Sequence, residues 1–95
     1  MTQPRETELI ADLEAAAAEE LERACELGWD RIAQVTPWGD TFEGYTPAGR
    51  EVAFERNYLW REDPGYDICV EVTVYEPRRY EAGARLTRIL TRSGS

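Results

Sequence analysis

The sequence predicts an α+β domain, one N-terminal amphipathic helix packed on a four- to five-stranded antiparallel meander sheet. Three observations carry that expectation. Apolar residues recur at three- and four-residue steps as far as Gly28, and beyond it the hydrophobic period changes to two. Three turns rich in Pro and Gly cut the second part into strand-length pieces. A lone sheet face must also be covered, and the apolar stripe of the helix is the cover on offer. The whole chain, 1–95, reads as one domain with a helix at 4–27, a sheet at 31–92 and a frayed tail at 93–95.

The helix has its signals at both ends. Pro4 is tolerated in a first turn, Glu6 and Glu8 suit the positive end of the dipole, and Gly28 suits a left-handed stop. Leu9, Ile10, Leu13, Ala17, Leu21, Ala24 and Leu27 form the stripe to be buried. On the opposite side Glu8, Asp12, Glu19, Glu22 and Glu26 fall in a sector about 80° wide. Small residues, Ala11, Ala15 and Ala18, stand beside these carboxylates.

The strands follow in order. "RIAQV" (31–35) is the first candidate, "DTFEGY" (40–45) the second, and "REVAFERNYLW" (50–60) the third. Thr36-Pro37-Trp38-Gly39 and Thr46-Pro47-Ala48-Gly49 separate them; Pro presets one turn torsion and Gly accepts the positive φ that follows. Arg56 interrupts the inner face of the third strand, so either a bulge shifts the register or the guanidinium is buried against a carboxylate. After Glu62-Asp63-Pro64-Gly65, "YDICVEVTVYE" (66–76) alternates cleanly, with Tyr66, Ile68, Val70, Val72 and Val74 on one side. Residues 80–92 carry both a helical spacing and strand-favouring threonines; a strand beside 66–76 is the expectation.

Composition narrows the function. Nineteen acids against eleven bases give −8, which repels nucleic acid and anionic membranes and suits a basic protein surface. All eleven bases are Arg, and the absence of His removes the commonest general base and metal ligand. Residues 1–30 sum to −7, residues 31–76 to −5 and residues 77–95 to +4, so the acidic and basic poles lie at opposite ends of the chain. No apolar run approaches the roughly 18 residues of a membrane span, and "MTQPRETELIADLEA" lacks the basic start of a signal peptide. A cytoplasmic protein with two free thiols, no cofactor and no metal is expected.

Candidate residues sort by chemistry. The stripe Glu8, Asp12, Glu19, Glu22 and Glu26 reads either as a solvated helix face or as a docking row for a basic partner. Its single sign of charge favours the second, because stabilising faces mix Glu with Arg or Lys. The outer sheet face, with Glu43, Tyr45, Glu51, Glu55, Leu59, Glu71 and Tyr75, reads either as a solvated face with scattered aromatics or, by its mixture of aromatics and acids, as an interface. Tyr45, Tyr75 and Trp38 are the anchor candidates; Trp38, at a turn tip, either folds back or projects. Arg78, Arg79, Arg85, Arg88 and Arg92 form the basic pole, suited to self-association or a homodimer. Cys25 and Cys69 read as small core or sheet residues.

In size, acidity and helix-plus-meander plan, the chain resembles the small acidic inhibitors that phages and mobile elements encode, anti-CRISPR proteins among them. The resemblance lies in overall profile and transfers no site residue. It implies a non-enzymatic inhibitor that occupies a basic, nucleic-acid-binding surface of a partner without touching nucleic acid itself. Two other classes stand beside it: a self-associating structural or assembly subunit, and a small enzyme using carboxylates or Cys69.

Overall fold

A computed structural model describes residues 4–92. The element order is α1 (Pro4–Cys25), α2 (Gly28–Val35), β1 (Trp38–Tyr45), β2 (Glu51–Trp60), β3 (Ile68–Glu76) and β4 (Arg79–Leu90). All neighbouring strands are antiparallel, in the order β1-β2-β3-β4, with α1 lying chiefly over β3 and β4. This is the expected α+β plan, with four strands.

The core forms where the two periodicities meet. Leu9, Leu13, Ala16, Ala17, Leu21 and Ala24 from α1 pack on Val52, Phe54, Tyr58, Ile68, Val70, Val72 and Val74. Strand β3 is buried at every second position, the signature of one covered and one open sheet face. Leu13, Ile68, Val70, Val72 and Val74 are sealed from solvent, and each such aliphatic side chain contributes about 1.5–3 kcal/mol. Ile10 and Leu27, expected in the buried stripe, are about half exposed: Ile10 lies on a flank of α1, and Leu27 follows its last residue.

One element corrects the expectation. Residues 31–35 are not a strand; they belong to α2, so the sheet begins at Trp38. The physical reason is an i, i+3, i+4 stripe, Trp29, Ile32 and Ala33, that begins before Arg31 and is packed against the core. Gly28, at φ 82°, supplies the left-handed residue between the helices, so the expected stop is a kink joining two helices. The fourth strand is therefore supplied by residues 79–90, which settle as a twelve-residue strand beside β3.

The two Thr-Pro-x-Gly segments play different parts. Thr36–Pro37, a cis bond, connects α2 to β1, and Trp38 and Gly39 already pair with Tyr58 and Asn57. At Gly39 an added Cβ would meet Asn57 Oδ1 at 2.5 Å and the Arg56 carbonyl oxygen at 3.1 Å, so the position leaves little room for a side chain. Thr46–Gly49 is the β1–β2 turn, closed by Gly49 N–H to Thr46 O (2.8 Å) and Thr46 N–H to Arg50 O (2.9 Å). Gly49 has φ 90° there, the torsion that excludes most side chains. Between Tyr75 and Glu76 the β3–β4 register slips, with Glu76 opposite Arg79 and Tyr75 opposite Gly83. No helix among the described residues is long and apolar enough to cross a membrane. The tail at 93–95 lies outside the described residues.

Candidate functional site

The carboxylates of α1 divide by the direction in which the helix aims them. Asp12 turns inward to the β1–β2 turn: its Oδ2 accepts from Thr46 Oγ1 (2.5 Å) and Arg50 Nε (3.4 Å), and its Oδ1 from the Ala48 amide (3.3 Å). Glu20, two turns on, is almost sealed, at 3% exposure, and is held between Arg23 (2.7 Å) and Arg56 (3.2 Å). Both inward acids therefore serve the fold by tying α1 to the β1–β2 hairpin.

Arg56 is the centre of that tie. It sits on the covered face of β2 with no bulge: Asp40–Arg56 and Arg56–Val72 are direct register partners. Its Nε and Nη2 donate to the two oxygens of Asp40 at 2.9 and 2.6 Å, a bidentate pair. Its guanidinium also lies 4.8 Å from the Phe42 ring centre and 5.3 Å from that of Trp38. Of the two readings of Arg56 offered by the sequence, burial against carboxylates is the one that holds. The hydrogen bonds that Arg56 donates to Asp40 raise the guanidinium's pKa above its ordinary value despite burial, so Arg56 stays charged.

Glu8, Glu19, Glu22 and Glu26 point outward and are exposed. None forms an ion pair among the described residues, whereas the inward acids Asp12, Glu20 and Asp40 all do. The row stands on a background of exposed Ala11, Ala15 and Ala18, with Arg23 near Glu19. Asp12 drops out of it because its side chain serves the turn.

The aromatic candidates separate. Trp38 folds back, stacked on Tyr58 with ring centres 4.9 Å apart, and is half-buried. Tyr45 is 69% exposed and borders a small crevice with Ala16, Glu19, Pro47 and Phe54. It is thus brought beside the acidic row from the edge of the sheet. Tyr75 is buried on the opposite sheet face, away from α1, with Ala53 and Gly83 as its register partners.

The basic pole is dispersed as well. Arg78 and Arg79 lie exposed at the β3–β4 turn, beside Arg50, Glu51 and Glu76. Arg85 is on the open face, its Nε donating to Thr73 Oγ1 (3.2 Å). Arg88 is paired with buried Val70 and so stands on the covered side, near Cys25. Arg92 lies over the Trp29 ring at 5.6 Å. These residues do not form one patch.

Both cysteines are free. Burial pushes the Cys25 thiol up, against the opposing pull of Arg88. Burial and the Glu71 charge push the Cys69 thiol up, with Arg61 opposing. Both shifts disfavour the thiolate that nucleophilic chemistry needs. The 61–67 turn encloses an open cavity of about 390 Å³ lined by Arg61, Glu62, Asp63, Tyr66 and Asp67. Among the described residues, no group of three or more Cys, Asp or Glu is arranged to hold a metal.

Glu20 and Asp40 were not singled out from the sequence. For Glu20 the signal was available: on the helical wheel it falls within the apolar sector, between Ala16 and Ala24, where an acid needs a partner. Comparison with protein families, curated proteins and solved structures finds no match to this chain.

Proposed function

We propose that this is a small acidic, non-enzymatic binding protein whose helix α1 docks on a basic surface of a partner protein. The observation that carries the reading is the division of acids along α1 and the turn that follows it. Those turned inward are paired with Arg, while Glu8, Glu19, Glu22 and Glu26 are exposed and form no ion pair among the described residues. Self-repulsion in such a row is relieved when a cationic surface covers it, and steering toward that surface raises the association rate. Exposed Tyr45, bordering the crevice beside Glu19, is the aromatic anchor next to the row. Trp38 and Tyr75, packed into the fold, are not part of this docking surface.

In its narrower form the reading is an inhibitor that displaces nucleic acid from a partner, in the manner of the phage-borne inhibitors the chain resembles. Glu19, Glu22 and Glu26 rise about 4.5 and 6 Å along the axis, a spacing of the order of charges along a nucleic-acid strand.

The test uses the chain as bait in a host lysate, beside the variant Glu19→Arg/Glu22→Arg/Glu26→Arg. A basic protein retained by the wild type, lost with the variant, and hindered from binding nucleic acid only by the wild type is the expected result. Equal retention by both baits at physiological salt overturns the reading.

A further inference from the structure

On the sheet face turned away from α1, Tyr75 and Ala53 are buried at one end, while the rows toward the 61–67 turn, with Leu59 and Ile89, are open among the described residues, and their pattern matches itself. Across this face the antiparallel register sets Leu59 beside Cys69 and Cys69 beside Ile89, an apolar row spanning three strands. Leu59 is 41% and Ile89 37% exposed. The next row holds Asn57, Glu71 and Thr87, and the one after it Thr41, Glu55, Thr73 and Arg85. At the loop end, Arg61 lies opposite Asp67, with 3.9 Å between their charged groups.

From this arrangement we infer that the open face is a two-fold interface between two copies of this chain. An axis parallel to the strands and midway between β2 and β3 lays β2 of one copy over β3 of the other, and β1 over β4. Row by row, Leu59 then meets Cys69 of the second copy, Asn57 meets Glu71, Glu55 meets Thr73 and Arg61 meets Asp67. Thr41 meets Arg85, whose diagonal neighbours are Glu43 and Glu55 of the first copy. Apolar groups face apolar groups, acids face bases or hydrogen-bond donors, and no like charges are directly opposed; the like-charge contact is diagonal, between Glu71 and Glu55 of the second copy. Such a contact is isologous: each pairing occurs twice, so one complementary half-face stabilises both ends. The crossing of about −30° usual for stacked sheets preserves the match best beside the axis, at β2 and β3.

The size of the face sets the strength. Four strands about 4.8 Å apart and three to four rows give a footprint of about 400–500 Å² per copy. The pair buries about 1,000 Å², the lower bound of specific interfaces, so the dimer is reversible and concentration-dependent. The acidic row of α1 stays on the outside of both copies, so association leaves it free.

Sedimentation equilibrium from about 10 μM to about 1 mM should show the mass rising from monomer toward dimer. Leu59→Glu and Ile89→Glu, at exposed positions, should each weaken association at least about tenfold while circular dichroism and the unfolding midpoint stay unchanged. In a Cys25→Ser background, maleimide labelling of Cys69 should slow as concentration rises, because Leu59 of the second copy covers the thiol. A strict monomer at the highest concentration overturns the inference. So does a dimer indifferent to both Glu variants, or Cys69 labelling that is independent of concentration.

Discussion

Arg56 grips Asp40 through two hydrogen bonds, 2.9 Å to Oδ1 and 2.6 Å to Oδ2, from the neighbouring strand of the same sheet face. Because Nη1 also reaches Glu20 of α1 at 3.2 Å, this one side chain fastens β1, β2 and the helix together. Removing it takes the bidentate partner from Asp40 and leaves Glu20 held by Arg23, which is itself mostly exposed.

Arg56→Ala should therefore destabilise the fold by about 3–5 kcal/mol, the loss expected when one partner of a buried ion pair is deleted. The double variant Glu20→Gln/Arg56→Met should recover part of that loss, since it also removes the buried Glu20 charge, while Asp40 stays without its Arg56 partner. Urea unfolding of the two variants checks this; equal destabilisation in both would show that the packing of Arg56 on Trp38 and Phe42, and not charge pairing, is what matters.

Glu19 and Glu20 are adjacent in sequence and opposite in expected effect. Glu20→Arg places a cation beside Arg23 and Arg56 at a site only 3% exposed, and should lower stability by several kcal/mol. Glu19→Arg, on the exposed face, should change it by less than about 0.5 kcal/mol. Thermal unfolding of the two single variants distinguishes them.

Asp12→Ala should loosen the β1–β2 turn. Three donors, Thr46 Oγ1, the Ala48 amide and Arg50 Nε, lose their acceptor together. A loss of about 2 kcal/mol is expected, with faster hydrogen exchange at Gly49 and Arg50 and little change in β3. Unchanged exchange at the turn would count against this anchoring role.

Stability should fall on the alkaline side. Burial raises the Cys25 and Cys69 thiols above their ordinary value of 9.0 and the Tyr58 hydroxyl above its ordinary 10.0. A group with a raised folded-state pKa holds its proton longer folded than unfolded. Its contribution is thus complete below the unfolded value and lost as pH rises through the folded one. Denaturant midpoints should decline from about pH 9 upward, and Tyr58→Phe should flatten the later part of that decline.

Local periodicity made much of the fold legible. Leu13, Ala17, Leu21 and Ala24 repeat at helical steps and are buried; Ile68, Val70, Val72 and Val74 alternate and are buried. Pro and Gly at 47–49 and 64–65 mark the two turns that flank β2, where Gly49 and Gly65 have positive φ. Helix α2 was hidden because its stripe, Trp29–Ile32–Ala33, straddles the point where the apolar period changes and covers only eight residues. Too few turns are present for the three-to-four spacing to outweigh a strand-like reading of "RIAQV".

The site was legible only in part. A sequence determines which residues share a helix face, and so it placed Glu8, Glu19, Glu22 and Glu26 in one outward row. It cannot determine what lies beside the flanks of that face. The tertiary structure decided that the β1–β2 turn comes up against Asp12 and takes it out of the row, that Arg56 meets Asp40 and Glu20, and that Trp38 folds back on Tyr58. The reason is range: periodicity is set by neighbours three or four residues away, whereas these partners lie 34, 16, 36 and 20 residues apart and meet only when the sheet closes under the helix.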